Sequence, residues 1–293
     1  MFPDPFSKRH PAVNFAFFVG AICCAVVIQH PAYLAVGIVS AAAYDLLLHG
    51  RRGVKTLLGM LPVFLVLMFL NPLFNTYGDR VLFRYFGRPY TLEALLYGGV
   101  IAAMFVEMLL WFGCYNAVLT SDKFTSLFGN LIPALSLLLV MVLRLIPNLM
   151  RKASQISGAR KCIGKGAAEG DTTKEKLEDG MSVLGALTSW ALEGSVVTAD
   201  SMRSRGYGTA KRSSFMIYRM TASDWALLAL LAVLFGTAAF AGDKTATFTP
   251  VLSIASIGGW NILGLAAYAG FLLIPTVLYL KEAIVWHISR SRI

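Results

Sequence analysis

The stretch "WALEGSVVTADSMRSRGYG", Trp190 to Gly208, decides how this chain is partitioned, because it reads as a helix that is not a membrane span. The helix is expected over Met181–Arg205. At 100° per residue, Val183, Leu187, Trp190, Gly194 and Val197 fall within about 40° of one direction. Leu192 and Val196 lie on the far side. A helix apolar on more than one face needs more than one apolar neighbour. Gly194 in the main stripe costs about 1 kcal/mol of helix propensity, which a close helix–helix approach would offset. Gly206 just past the end reads as a C-cap, and Arg203 and Arg205 meet the negative end of the helix dipole.

Outward from this helix the chain is oily. Of its 293 residues, 57% are hydrophobic and 14% charged, and the mean hydropathy is +0.65. A soluble domain carries roughly a quarter charged residues, and about 20 apolar residues cross a bilayer as a helix. The fold expected is all-α, a polytopic membrane protein with about six spans plus long cytoplasmic or interfacial helices. The spans are read at Val13–Ile28, Ala32–Leu48, Val54–Leu70, Ala94–Leu119, Asp224–Gly242 and Ile262–Trp286. Residues 1–119 hold four spans, 120–223 a different segment, and 224–293 two more. The first apolar run is expected to be a span and not a signal peptide, since polar residues and His30-Pro31 follow it without a small-x-small cleavage site. No internal repeat divides the chain into matching halves.

The net charge is +10, and its placement sets orientation. Lys8, Arg9, Arg51, Arg52, Lys55, the long segment, Arg290 and Arg292 fall on one side of six spans. Residues 151–220 carry 12 Lys and Arg against 7 Asp and Glu. The opposite side has the Gln29–Pro31 turn, the Asn71–Arg88 loop and the Asp243-Lys244 loop, with Arg80, Arg84 and Arg88 as the dissenting charges. Both termini and Thr120–Ser223 are therefore expected in the cytoplasm. Nucleic-acid binding does not account for the charge.

Within the long segment, Ser126–Leu145 is apolar, interrupted by Pro133 and bounded by Pro147, and is expected as an interfacial or partner-covered helix. Pro147 to about Cys162 continues as a more polar helix. Gly164–Gly180, rich in glycine and charge, is expected as a solvated linker.

Few residues invite chemistry. Glu107, mid-span, is a functional candidate by default, and a partnered carboxyl facing the bundle is the plainer reading. His10, His30, His49 and His287 sit at span ends or tails, with no HExxH pattern beside Glu107. Asp45 is expected to pair with Arg51 or Arg52. Cys23, Cys24, Cys114 and Cys162 have no metal or disulfide spacing. No Walker-type phosphate loop and no metal site is present.

"LTSWALEGSVVTADSMRSRGYGTAKR" resembles the second signature of the transmembrane (T) component of energy-coupling-factor transporters, the EcfT/CbiQ-like family. There a cytoplasmic coupling helix ends in a short motif centred on arginine, typically Ala-Arg-Gly, and Ser204-Arg205-Gly206 occupies that place. "DPFSKRHPAVNF", "FLNPLFNTYG", "LLWF" and "LTSDKFTSLFGNLIPALSLLLVMVLRLIPNL" are similar to one branch of the family, over most of the chain. The first arginine motif departs. One register places Cys162-Ile163-Gly164 there, with Arg160 and Lys161 a turn earlier. The other makes Ala159-Arg160-Lys161 the motif.

The resemblance implies a non-enzymatic subunit of the bacterial plasma membrane. Two ABC-type ATPase subunits would bind ATP and Mg, and this chain no cofactor. Ser204, Arg205, Gly206, Arg160, Lys161, Ile163 and Gly164 would meet the ATPases. Val183, Leu187, Trp190, Gly194 and Val197 would support a small membrane protein (the S component) that binds a vitamin or a metal ion such as cobalt or nickel. A planar guanidinium suits the ATPase contact, because its fork makes several fixed hydrogen bonds and stays charged. A self-contained ion-coupled transporter or channel would place polar groups along several spans. A conventional ABC permease would enclose the substrate path itself. A membrane enzyme would need partners for Glu107 that the sequence does not show.

Overall fold

The structure is a computed structural model describing residues 4–75, 80–85, 88–128, 133–166, 172–209, 218–241, 246–247, 253–254 and 258–290. The expected Asp243-Lys244 loop and Arg292 lie outside these residues. Along the chain run α1 (Pro11–Val27), α2 (Pro31–His49), α3 (Arg51–Phe74), β1 (Val81–Tyr85), β2 (Arg88–Thr91), α4 (Leu92–Val118), α5 (Ser121–Phe128), α6 (Pro133–Cys162), α7 (Thr173–Ser204), α8 (Ala222–Phe240), β3 (Ala246–Thr247), β4 (Ser253–Ile254) and α9 (Trp260–Arg290). The protein is an all-α polytopic membrane protein with, among the described residues, two small antiparallel strand pairs, β1–β2 and β3–β4. The first pair stands where the sequence suggested only a loop.

Helices α2, α3, α4, α8 and α9 are long and apolar enough to cross a membrane. The expected first span is α1, a shorter apolar helix of 17 residues, or about 26 Å at 1.5 Å per residue. Both α1 and α2 start the same way. His10 and His30 are N-caps whose Nδ1 accepts from the backbone N–H of Ala12 and Ala32 at 3.2 Å, and a proline follows each at the first helical position.

The chain divides into two compact units, residues 1–124 with 218–293, and residues 125–217. The first unit has an aromatic core in which Phe17 meets Phe6, Trp111 and Phe271 with ring centroids 5.3, 5.4 and 5.2 Å apart. The Phe6 and Trp111 contacts are edge-on, the geometry the ring quadrupole favours. Asp45 does not pair with Arg51 or Arg52. Its Oδ1 lies 2.8 Å from Nδ1 of His49, one turn on in α2. Gly50, at φ 55°, ends that helix, so both arginines begin α3 and are exposed.

The second unit is built on α6 and α7, and two expectations about it are corrected. Pro147 does not bound a helix, because α6 runs through it from Pro133, whose missing N–H costs nothing at a helix start. The expected linker Gly164–Gly180 is helical from Thr173. Thr172 and Glu175 form a capping box there: Oε2 of Glu175 accepts from the Thr172 N–H at 2.8 Å, and Oγ1 of Thr172 accepts from the Glu175 N–H at 3.4 Å. Two orphan donors are satisfied, and the helix continues through Gly180. Among the described residues no atom lies within 4 Å of where a Cβ on Gly194 would sit.

Helices α6 and α7 form an antiparallel hairpin. Arg160 on α6 reaches Asp179 and Ser182 on α7, and Lys152 lies over the ring of Trp190, 5.7 Å from its centroid. Half-buried positions on α6 (Leu149, Lys152, Ala153, Ile156, Ser157, Arg160) and on α7 (Asp179, Val183, Leu187, Trp190, Gly194) keep helical spacing, so each helix turns one stripe inward. The outer sides are oily: Met150, Leu184, Leu192 and Val196 are exposed, and Val197, further along the inward stripe, is exposed as well.

Candidate functional site

The two hairpin helices end in the same way. On α7 the cap residue is Arg205, and Gly206 takes φ 75°. The Tyr207 N–H donates to the Met202 carbonyl and the Gly206 N–H to that of Arg203, both at 3.0 Å. On α6 Gly164 takes φ 73°, the Lys165 N–H donates to the Arg160 carbonyl at 3.0 Å and the Gly164 N–H to that of Lys161 at 3.1 Å. Both are Schellman motifs, which satisfy orphan carbonyls and need a left-handed residue that glycine supplies without strain. Cys162-Ile163-Gly164 and Ser204-Arg205-Gly206 thus superpose position for position, with Ile163 and Arg205 as the two cap residues.

Antiparallel pairing sends these ends apart. The level of Arg160 on α6 matches Asp179 to Ser182 on α7, and Arg205 lies 23 to 26 residues further on. The separation along the hairpin is roughly 35–40 Å.

Their chemistry differs as well. Ile163 is 70% exposed. Arg205 is exposed, and its guanidinium has no hydrogen bond or ion pair among the described residues. Arg160 is engaged within the chain. Its Nε donates to Oδ1 of Asp179 at 2.5 Å, one terminal nitrogen to Oγ of Ser182 at 2.6 Å, and the other to the Lys165 carbonyl at 3.2 Å. The Arg160–Asp179 pair is three-quarters or more buried on both sides. Arg160 therefore fastens the α6 end to the start of α7, while Lys161, beside it, is exposed.

Asp179 and Ser182 were not singled out in the sequence. The expected helix began at Met181, and the Thr172-x-x-Glu175 signature would have extended it back to include Asp179. Among the stripe residues, Val183, Leu187, Trp190 and Gly194 are half-buried, whereas Val197 is 61% exposed.

Glu107 is fully buried on α4. Tyr268 on α9 donates to its Oε1 at 2.9 Å, and Oε2 has no partner among the described residues. Gly37 on α2 faces the carboxyl so closely that a Cβ there would overlap it. The arrangement ties three helices together at one polar point. Among the described residues no group of three or more His, Cys, Asp or Glu side chains could hold a metal ion.

A protein-family model, CbiQ, described as cobalt transport protein, matches residues 5–217. No curated protein matches the chain.

Proposed function

The chain belongs to the CbiQ cobalt transport protein family, and from that premise we propose that it is the coupling (T) subunit of an energy-coupling-factor type ABC transporter. Two ATPase subunits would dock on the hairpin ends, close on ATP and pass the movement to a small membrane protein that binds the cargo. ATP and Mg would belong to those partners, and this chain would catalyse nothing. The cargo class is a metal ion such as cobalt or nickel, or a vitamin. The chain would lie in a bacterial plasma membrane with both termini and residues 120–223 in the cytoplasm.

The observation that carries this reading is the twin ending. One capping motif, repeated on two helices, presents Ile163 and Arg205 roughly 35–40 Å apart. Two docking points at that separation suit two partner subunits that move relative to each other. Their unlike side chains suit two unlike sockets, one lined by carboxylates or carbonyls for Arg205 and one apolar for Ile163. Arg160, used within the hairpin, supports the register in which Ile163 stands at the first motif. The cargo-binding partner is proposed against the exposed apolar side chains, Leu184, Leu192, Val196 and Val197.

Purification of the tagged chain from its host without overexpressed partners tests the proposal. Recovery of two ATPases and a small integral-membrane protein is expected. Recovery of a complete transporter whose only membrane subunits are copies of this chain would overturn it.

A further inference from the structure

The chain leaves the first unit after Phe124 and returns to it at Tyr218. Both crossings are tied to one short segment, Asp4–His10. At the departure, Lys123 is 9% exposed, and its ammonium donates to the Ser7 carbonyl at 2.5 Å, to Oγ of Ser7 at 2.7 Å and to the Val118 carbonyl at 2.8 Å. An ammonium has three protons, and all three are used. At the return, Arg9 donates to Oγ of Ser223 at 2.7 Å and to Oδ1 of Asp224 at 3.3 Å, and the His10 ring sits edge-on to Tyr218. Asp224 is itself fixed, since its Oδ2 accepts from the N–H and hydroxyl of Thr221 in a capping box.

The same segment is seated deep in the spans. Phe6 is fully buried against Phe17 and Phe18 of α1. Asp4 accepts from the Tyr44 hydroxyl of α2 at 2.8 Å and from the N–H groups of Phe6 and Ser7, which fixes the bend of the segment. Burial pushes the Asp4 carboxyl above the ordinary carboxylate range and the Lys123 ammonium below the ordinary lysine range. Buried polar groups with their hydrogen bonds filled form a stiff junction, because Asp4 and Lys123 both bond to Ser7 and moving that residue takes a partner from each. The Lys8–Glu282 pair, exposed on both sides, adds little.

We infer that Asp4–His10 is a strap through which displacement of either leg of the hairpin is delivered to the spans, with Ser7, Arg9, Lys123 and Asp224 as its positioning residues. This rests on the coupling role proposed above. Without the strap, residues 119–124 and 218–224 would follow the hairpin independently. With it, the two legs share one anchor on α1 and α2.

The test uses the assembled complex reconstituted with its ATPases and cargo-binding partner. Lys123→Met, Arg9→Gln and the double variant are compared with Lys55→Gln, a change at an exposed residue of α3. Assembly and ATP hydrolysis are expected to persist, while uptake per ATP falls roughly 2- to 30-fold, the span seen for residues inside coupling networks. Lys123→Arg is expected to restore part of it. Unchanged uptake per ATP in the assembled double variant would overturn the inference. Should the variants fail to assemble, a thermal-unfolding cycle on the solubilised full chain decides. Lys123→Met and Asp224→Asn touch each other only through the strap, so non-additive losses support it and additive losses overturn it. A wild-type chain that recruits no ATPase would defeat the coupling role itself, and the unfolding cycle would still judge the strap.

Discussion

Ile163 and Arg205 hold the same position in two copies of one helix ending, each followed by a glycine, at φ 73° and 75°. The backbone treats the two ends alike and the side chains do not. Equivalence of position with difference of chemistry makes the ends non-interchangeable. Ile163→Asp is expected to weaken retention of one ATPase subunit and to leave the other bound. A quantitative pull-down from the intact complex reads this directly, and simultaneous loss of both ATPases would mean that the ends do not act separately.

Arg160 is expected to matter for the hairpin's stability. Three donors end on Asp179, Ser182 and Lys165. Arg160→Ala removes the guanidinium from a largely buried carboxylate and is expected to cost about 1–3 kcal/mol. Asp179→Asn combined with it should be clearly non-additive in a double-mutant cycle followed by thermal unfolding. Additive losses would show that the pair is not coupled.

The buried polar point in the spans gives a graded series. Glu107→Gln retains an acceptor for Tyr268 and is expected to be mild. Glu107→Leu leaves that hydroxyl buried and unpaired, at about 1–3 kcal/mol. Gly37→Ala is expected to resemble the Leu variant, because its methyl group enters the space of the carboxyl. Melting of the purified chain in detergent ranks the three, and equal melting temperatures for Gln and Leu would contradict the hydrogen bond.

The outer faces of the hairpin supply another contrast. Leu192 is 64% exposed, whereas Leu187 is half-buried. Leu192→Glu is expected to release the cargo-binding partner while the chain remains folded. Leu187→Glu is expected to lower the stability of the hairpin itself. If Leu192→Glu leaves both partner recovery and uptake at wild-type levels, that face is not the contact.

Much of the fold was legible because membrane helices announce themselves by length and composition. Helices α2, α3, α4, α8 and α9 follow from apolar runs alone. The second unit was harder to read, since its signals compete. Gly164, Gly166, Gly170 and Gly180 suggest a linker, yet the reciprocal cap of Thr172 and Glu175 starts a helix among them. Pro147 suggests a break, yet α6 tolerates it. The stripe from Val183 to Gly194 was visible in the sequence, but its half-burial in the hairpin with α6 was not, because pairing of distant residues leaves no periodic trace. The strap was hidden for the same reason, with Ser7 and Lys123 more than a hundred residues apart.

Arg205 tests the account most directly. As a charge near a helix end its loss should cost about 0.3–1 kcal/mol and change little else. As a guanidinium seated in an ATPase socket its reversal should cost about 2–5 kcal/mol of contact energy, roughly 30-fold or more in ATPase retention. Arg203, exposed in the last turn of the same helix, is the control. The measurement is ATPase recovery and uptake per ATP in complexes carrying Arg205→Glu or Arg203→Glu at equal membrane levels. The account predicts loss at Arg205 and near wild-type behaviour at Arg203. Equal, mild effects at both positions, with the complex intact and uptake normal, would contradict it.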